Sequence, residues 1–119
     1  MISKVTDLEA YSMAHTFAMT IFFLSKDFPK EEKYSLTDQI VRSSRSICAN
    51  IAEGWGKRVY ENEFKRHLVY SMGSVEETKI WLKFAADCQY ISTEKHNELA
   101  NTLDNIGGKL FRLYQNWKS

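Results

Sequence analysis

Four stretches of the chain repeat apolar residues at steps of three and four, the spacing of one helix face. The first runs from about Asp7 to Lys26 and carries two neighbouring stripes. One is Leu8, Tyr11, His15, Ala18 and Phe22; the other is Ala14, Phe17, Ile21 and Leu24. Together they predict a helix with a broad apolar face. Thr6 or Asp7 is placed to cap its start, and Asp7 and Glu9 suit the positive end of the helix dipole. Phe28-Pro29 ends it, because the residue before a proline is pushed out of the helical region.

The second stretch runs from about Ser35 to Ala52 or Glu53, with Leu36, Ile40, Ile47 and Ile51 as its core face. Ser35, with Asp38 three residues on, reads as its N-cap. Gly54 and Gly56 read as a left-handed stop. The third runs from about Glu61 to Gln89, about 40 Å at 1.5 Å per residue. Phe64, Leu68, Ser71, Val75, Thr78, Leu82 and Ala85 form its seam, and Gly73, Glu77, Ile80, Trp81, Phe84 and Cys88 form a second stripe beside it. The fourth runs from about Thr93 to Trp117, capped by Ser92 or Thr93, with Leu99, Leu103, Ile106, Leu110, Leu113 and Trp117 alternating steps of four and three. Gly107 and Gly108 sit inside it at a cost of about 1 kcal/mol each relative to Ala, which close approach of another backbone would offset.

Four amphipathic helices with short connections predict an all-α fold, an antiparallel up-down four-helix bundle with near-parallel packing. The 119 residues fit a single domain spanning 1–119. One Pro and five Gly are too few for a strand-rich domain with many tight turns.

This pattern holds more apolar surface than one narrow bundle encloses. Trp55, Tyr60, Tyr70, Trp81 and Tyr90 cannot all face one small core. The surplus predicts a homo-oligomer, with Trp55, Tyr70, Gly73 and Trp81 as candidate interface residues. Amphipathic rings lying half-buried on a monomer are the alternative.

Several kinds of chemistry are absent from the sequence. The longest apolar run, Phe17 to Leu24, is interrupted by Thr20, whereas a membrane span needs about 20 apolar residues. The first residues lack a signal-peptide core, which predicts a cytoplasmic protein with reduced thiols and no membrane partner. Cys48 and Cys88 form no Cys-x-x-Cys pair and read as small core residues. None of His15, His67 and His96 follows a Glu by three positions, so the di-iron motif of helical bundles is missing. Glu63 and His67 share a face at i,i+4, where a solvated pair is expected rather than a metal site. Gly54-Trp55-Gly56 follows a helix and lacks the Gly-Lys-Ser/Thr of a phosphate loop. No metal or other cofactor, no catalytic residue and no enzymatic activity is predicted.

The second helix carries an unusual polar line. Gln39, Ser43, Ser46, Asn50 and Glu53 step by four, three, four and three beside the isoleucines, with Ser44, Cys48 and Ala52 as a small-residue line on the flank. Such a line either fixes bundle register by hydrogen bonding to a neighbouring helix or lines a cleft or pore.

Charge sharpens one region. Lys and Arg number 16 against 15 Asp and Glu, which excludes binding of nucleic acid by bulk charge. Residues 42–66, however, carry six cations (Arg42, Arg45, Lys57, Arg58, Lys65 and Arg66) against three carboxylates. They centre on the turn between the second and third helices, with Trp55 and Tyr60 interleaved, a composition suited to phosphate contact and base stacking. These six are the candidate nucleic-acid-binding residues. An ordinary solvated helix end gives the same count.

Ser46-Ile47-Cys48-Ala49-Asn50-Ile51-Ala52-Glu53-Gly54 resembles the signature of the four-helix-bundle proteins encoded in 23S ribosomal RNA intervening sequences. Phe28-Pro29 through Gln39-Ile40, Gly73-Ser74 with Glu76-Glu77, and Ala85 to Tyr90 extend the resemblance over nearly the whole chain. It implies an up-down bundle assembled into a ring, a pentamer, with no known catalysis. A relative of that family, the accessory protein of diversity-generating retroelements, is basic and pentameric and binds nucleic acid and a reverse transcriptase. Two departures stand out: Cys48 occupies a position where the family often has Pro, and this chain is far less basic than that relative. By resemblance, Gln39, Ser46, Asn50, Glu53 and Gly54 serve the family motif and assembly. The expected function is a non-enzymatic, ring-forming accessory or scaffold protein associated with structured RNA or a nucleic-acid-processing protein. A protein-interaction module without direct nucleic-acid binding is the alternative.

Overall fold

The computed structural model describes residues 4–118, the side chain of Asp7 excepted. Four helices follow one another: α1 (Glu9–Ser25), α2 (Leu36–Gly56), α3 (Glu61–Asp87) and α4 (Thr93–Asn116). Short 3-10 turns, Val5–Asp7 and Lys30–Glu32, precede α1 and α2, and no strand occurs among the described residues. The long dimension, 45 Å, is close to the length of α3 at 1.5 Å per residue.

Cross-helix contacts establish the direction of each neighbour. Between α2 and α3, Ser43 meets Thr78, Ser46 meets Ser74, Ile47 meets Ser71 and Asn50 meets His67, one number rising as the other falls. Between α3 and α4 the same holds for Lys79 with Asp104, Lys65 with Tyr114 and Phe64 with Trp117. α1 packs on α2 and, more sparsely, on α4, closing an antiparallel up-down bundle.

The buried seams follow the periodicity. Ile40, Ile47 and Ile51 of α2, Phe64, Leu68, Val75 and Leu82 of α3, and Leu103, Ile106 and Leu110 of α4 are enclosed. In α1 the Ala14, Phe17 and Ile21 stripe is core, whereas His15 is exposed and Tyr11 and Phe22 are half-buried. α1 lies against α2 on one side and α4 on the other, so only the stripe between them is sealed.

The helix ends correct several expectations. Ser92 caps α4, its Oγ accepting from the Lys95 amide at 3.0 Å. Ser35 does not cap α2: its hydroxyl donates to the Glu32 carboxylate, and the same oxygen accepts the Leu36 amide at 3.3 Å. The carboxylate thus takes the first amide of α2, and Ser35 is turned to it rather than to the amides two and three residues on. Leu8 precedes α1 with no side-chain cap; Thr6 supplies only its carbonyl, to Ser12 Oγ, and the cap expected of Asp7 lies outside the described residues.

α2 runs through Gly54 to Gly56, and no glycine among the described residues has positive φ. The left-handed stop expected there is therefore absent. The left-handed residue is Gln89 (φ 66), just after α3. Cys48 is half-buried beside α1, where burial pushes its thiol pKa up; Cys88, expected in the core, is exposed. A Cβ placed at Gly107 or Gly108 would meet only side-chain atoms, at 3.8 and 4.0 Å, so no backbone approach offsets these glycines within the chain.

Candidate functional site

The residues singled out in the sequence gather on the α2–α3 face. The step of α2's polar line places Ser43, Ser46 and Asn50 toward α3, and α3 answers with Thr78, Ser74, Ser71 and His67 at the same spacing. Thr78 Oγ1 donates to Ser43 Oγ at 2.9 Å, Ser74 Oγ to Ser46 Oγ at 3.0 Å, and Ser71 Oγ to the Ile47 carbonyl at 2.8 Å. Ser43, Ser71 and Thr78 are buried, and each has its partner. At the two ends of the line Gln39 and Glu53 stay in solvent.

Gly54 sets how closely the two helices approach. A Cβ there would lie 2.7 Å from His67 Cβ and 3.3 Å from the Phe64 carbonyl oxygen. His67 is consequently buried, not a solvated partner of Glu63, which pairs with Arg66 instead at 3.8 Å. Asn50 Nδ2 donates to the Ser46 carbonyl at 3.0 Å and to Ser46 Oγ at 3.1 Å, which turns its Oδ1 toward His67 Nδ1 at 3.4 Å. On the other side of the ring Lys57 Nζ lies 3.2 Å from Nε2. Glu53 lies 3.6 Å from the same nitrogen. Among the described residues no three of His, Cys, Asp and Glu gather as a metal site.

The six basic residues do not form one surface. Arg42 and Arg45 lie roughly 20 Å along α2 from Lys57, at 1.5 Å per residue. Arg42 pairs with Asp38, Lys57 with Glu53, Lys65 with Glu61 and Arg66 with Glu63, each within one turn of its own helix. Arg45 stacks over Phe22 and Lys65 over Tyr114. Arg58 donates to the Trp55 carbonyl at 2.9 Å and lies 4.1 Å over the Trp55 ring.

Trp55 corrects two expectations. It is buried against Phe64 and Trp117, with ring centroids 6.2 and 5.8 Å away, and Arg58 covers its face. It can therefore neither stack a base nor meet another subunit. Packing across three elements, α2, α3 and the end of α4, draws it inward, and its place four residues after Ile51 continues the core stripe of α2 beyond the stop expected at Gly54. Tyr60, by contrast, is exposed.

The other interface candidates remain outside. Tyr70, Ile80 and Phe84 on α3 are 51, 56 and 52% exposed, and a Cβ at Gly73 would meet nothing within 4 Å. Trp81 is half-buried, its Nε1 donating to Glu77 at 3.0 Å. On the opposite flank of α2, the small residues border an open groove of about 260 Å³ against α1. No helix among the described residues is long and apolar enough to cross a membrane.

Comparison with known proteins places this geometry. No curated protein matches the chain. The crystal structure of a protein of unknown function from the S23 ribosomal protein family of Bacteroides thetaiotaomicron superposes with a TM-score of 0.81 at 27% identity, covering 90% of this chain and 96% of that one. The sequence pattern of the 23S rRNA-intervening sequence proteins matches residues 6–112, and the chain belongs to that family.

Proposed function

We propose that the chain is a non-enzymatic scaffold that assembles with copies of itself into a ring, a pentamer by family resemblance, and associates with structured RNA. The observation that carries the assembly is the α3 stripe: Tyr70, Ile80 and Phe84 face solvent at steps of three and four around an open Gly73. A contiguous exposed apolar stripe of this kind marks an interaction surface. The family's link to 23S rRNA intervening sequences supports an RNA setting. Repetition around a ring would bring several copies of the Lys57 and Arg58 turn together and strengthen a field that one subunit lacks.

Light scattering behind size exclusion at micromolar concentration tests the assembly. The expected mass is a multiple of 13.9 kDa, and a monomer overturns it. A gel shift with structured RNA at low, stated salt tests the second part. Binding is expected to weaken with salt and to be lost in Lys57→Ala/Arg58→Ala, which leaves Arg45 in place. No binding at low salt removes the RNA role.

A second reading, a protein-interaction module with no direct nucleic-acid contact, is favoured by the in-helix pairing of Arg42, Lys57, Lys65 and Arg66 and by the loss of Trp55 as a stacking platform. A pull-down recovering a stoichiometric protein and no RNA distinguishes it.

A further inference from the structure

The α3 stripe is not self-complementary. Its apolar residues run from Tyr70 to Phe84, and Glu77 stands at the midpoint, exposed. Glu77 accepts from Trp81 Nε1, and no cation among the described residues lies within ion-pair distance of it. A parallel two-fold pairing of α3 with α3, or an antiparallel one centred on the stripe, would set Glu77 against its own copy inside an apolar contact. Like charges brought together while losing water oppose such an interface. The stripe therefore calls for a different surface on its partner.

That surface exists on the same chain. The α1–α2 groove has a floor of small side chains, Ala18, Ala49 and Ala52, between walls that include Tyr11 and Met19. Small floor residues admit the rings of a packed helix, much as ridges enter grooves between helices. Arg45 stands beside this groove, stacked on Phe22, with no carboxylate among the described residues within ion-pair distance. An exposed carboxylate at the centre of the stripe thus has its counterpart in an exposed guanidinium beside the groove.

Resting on the self-assembly reading, we infer that the α3 stripe of one copy seats in the α1–α2 groove of the next, with Glu77 meeting Arg45 across the contact. The contact is head-to-tail: each chain offers its stripe to one neighbour and its groove to the other. Such contacts close into rings when the rotation between subunits permits.

Charge reversal tests this by light scattering and sedimentation. Glu77→Arg and Arg45→Glu are each expected to weaken assembly at least tenfold, and the two combined in one chain are expected to restore it. If the wild-type protein assembles and neither reversal changes its mass, the stripe-to-groove contact is wrong while self-assembly stands. Stronger association of Glu77→Arg with the wild-type chain than of either alone would instead identify an α3–α3 contact and overturn the inference. A monomeric wild-type protein withdraws both. Circular dichroism checks folding. If a reversal costs helix content, Gly73→Trp serves as the second probe: it adds bulk at an open position and is expected to block the groove contact with the bundle intact. Unimpaired assembly of that variant would count against the inference.

Discussion

The α2–α3 and α1–α4 seams use the same hydroxyl residues to opposite ends. Between α2 and α3, Ser71, Ser74 and Thr78 reach across to the other helix, Thr78 while also bonding back to the Ser74 carbonyl at 2.7 Å. Between α1 and α4, Thr20 and Thr102 bond back to Thr16 and Glu98 carbonyls of their own helices, at 3.1 and 3.2 Å. An open groove of about 360 Å³ separates those two helices, and farther along them Lys109 pairs with Glu9 at 2.9 Å. Distance makes the difference. Gly54 lets α2 and α3 approach until a short hydroxyl can span the gap; where helices stand farther apart, the nearest acceptor is the preceding turn. Ser and Thr specify register only where a small residue has first brought the backbones together.

Substitutions can break that comparison, beginning with the largest effect. Phe64→Ala removes the ring against Gly54 and Trp117 and should cost about 3–5 kcal/mol in denaturant unfolding. Next comes a pair of identical changes with opposite signs. Gly54→Ala sets a methyl 2.7 Å from His67 Cβ, where overpacking of about 1–3 kcal/mol exceeds the gain in helix propensity. Gly108→Ala meets only Arg112 at 4.0 Å and should stabilise by about 0.5–1 kcal/mol. A destabilised Gly108→Ala would show that the α4 glycine has a neighbour, as it would in an assembly.

Thr78→Val should cost about 1 kcal/mol by removing the hydroxyl that spans to Ser43, while Ser43→Ala/Thr78→Val should recover part of it, because no unpaired partner remains. The double-mutant cycle reads the coupling directly.

A weaker tie continues the same side of the bundle into its turns. Tyr90 donates to Glu32 at 2.8 Å, joining the turn after α3 to the start of α2. Hydrogen bonds from Ser35, then Tyr90, hold Glu32 below its ordinary 4.5, and the Glu32 hydrogen bond raises Tyr90 to about 12. The lowered carboxylate contributes stability above pH 4.5 that is lost as pH falls through the depressed value. The raised phenol contributes stability below pH 10.0 that is lost as pH rises toward about 12. Thermal midpoints of Tyr90→Phe should lose the alkaline dependence and keep part of the acid one, since Ser35 remains. Smallest of all, Thr102→Ala on the loose seam should change stability by less than about 0.5 kcal/mol.

The legible part of this chain is what periodicity encodes. All seven residues of the α3 seam are buried, and so are the four isoleucine and leucine positions of α2. The polar line was visible as a line, but its partners were not, because Ser71, Ser74 and Thr78 matter only once α3's rotation against α2 is known. Gly54 was read as a local stop, since a glycine after a helical pattern suggests backbone freedom and nothing local betrays a helix lying 3 Å away. His67 is hidden for the same reason, enclosed by residues remote in sequence, whereas Trp55 continues the Ile47 and Ile51 stripe once α2 is seen to run through Gly54. Window counting shows how many charges there are and not where they sit: Glu53 and Glu61 are already in the total for residues 42–66, and only the pairing of Arg42 with Asp38 lies outside it.

The tryptophans turn this arrangement into two optical gauges. Trp55 and Trp117 share one ring cluster at an end of the bundle, 5.8 Å apart, so their emission follows closure of that end. Trp81 lies on the outer stripe, half in water. A soluble quencher such as iodide should reach Trp81 and spare Trp55, and covering the stripe should lower the accessible fraction that Trp81 contributes without disturbing Trp55. Folding and assembly can therefore be followed separately in one unlabelled sample.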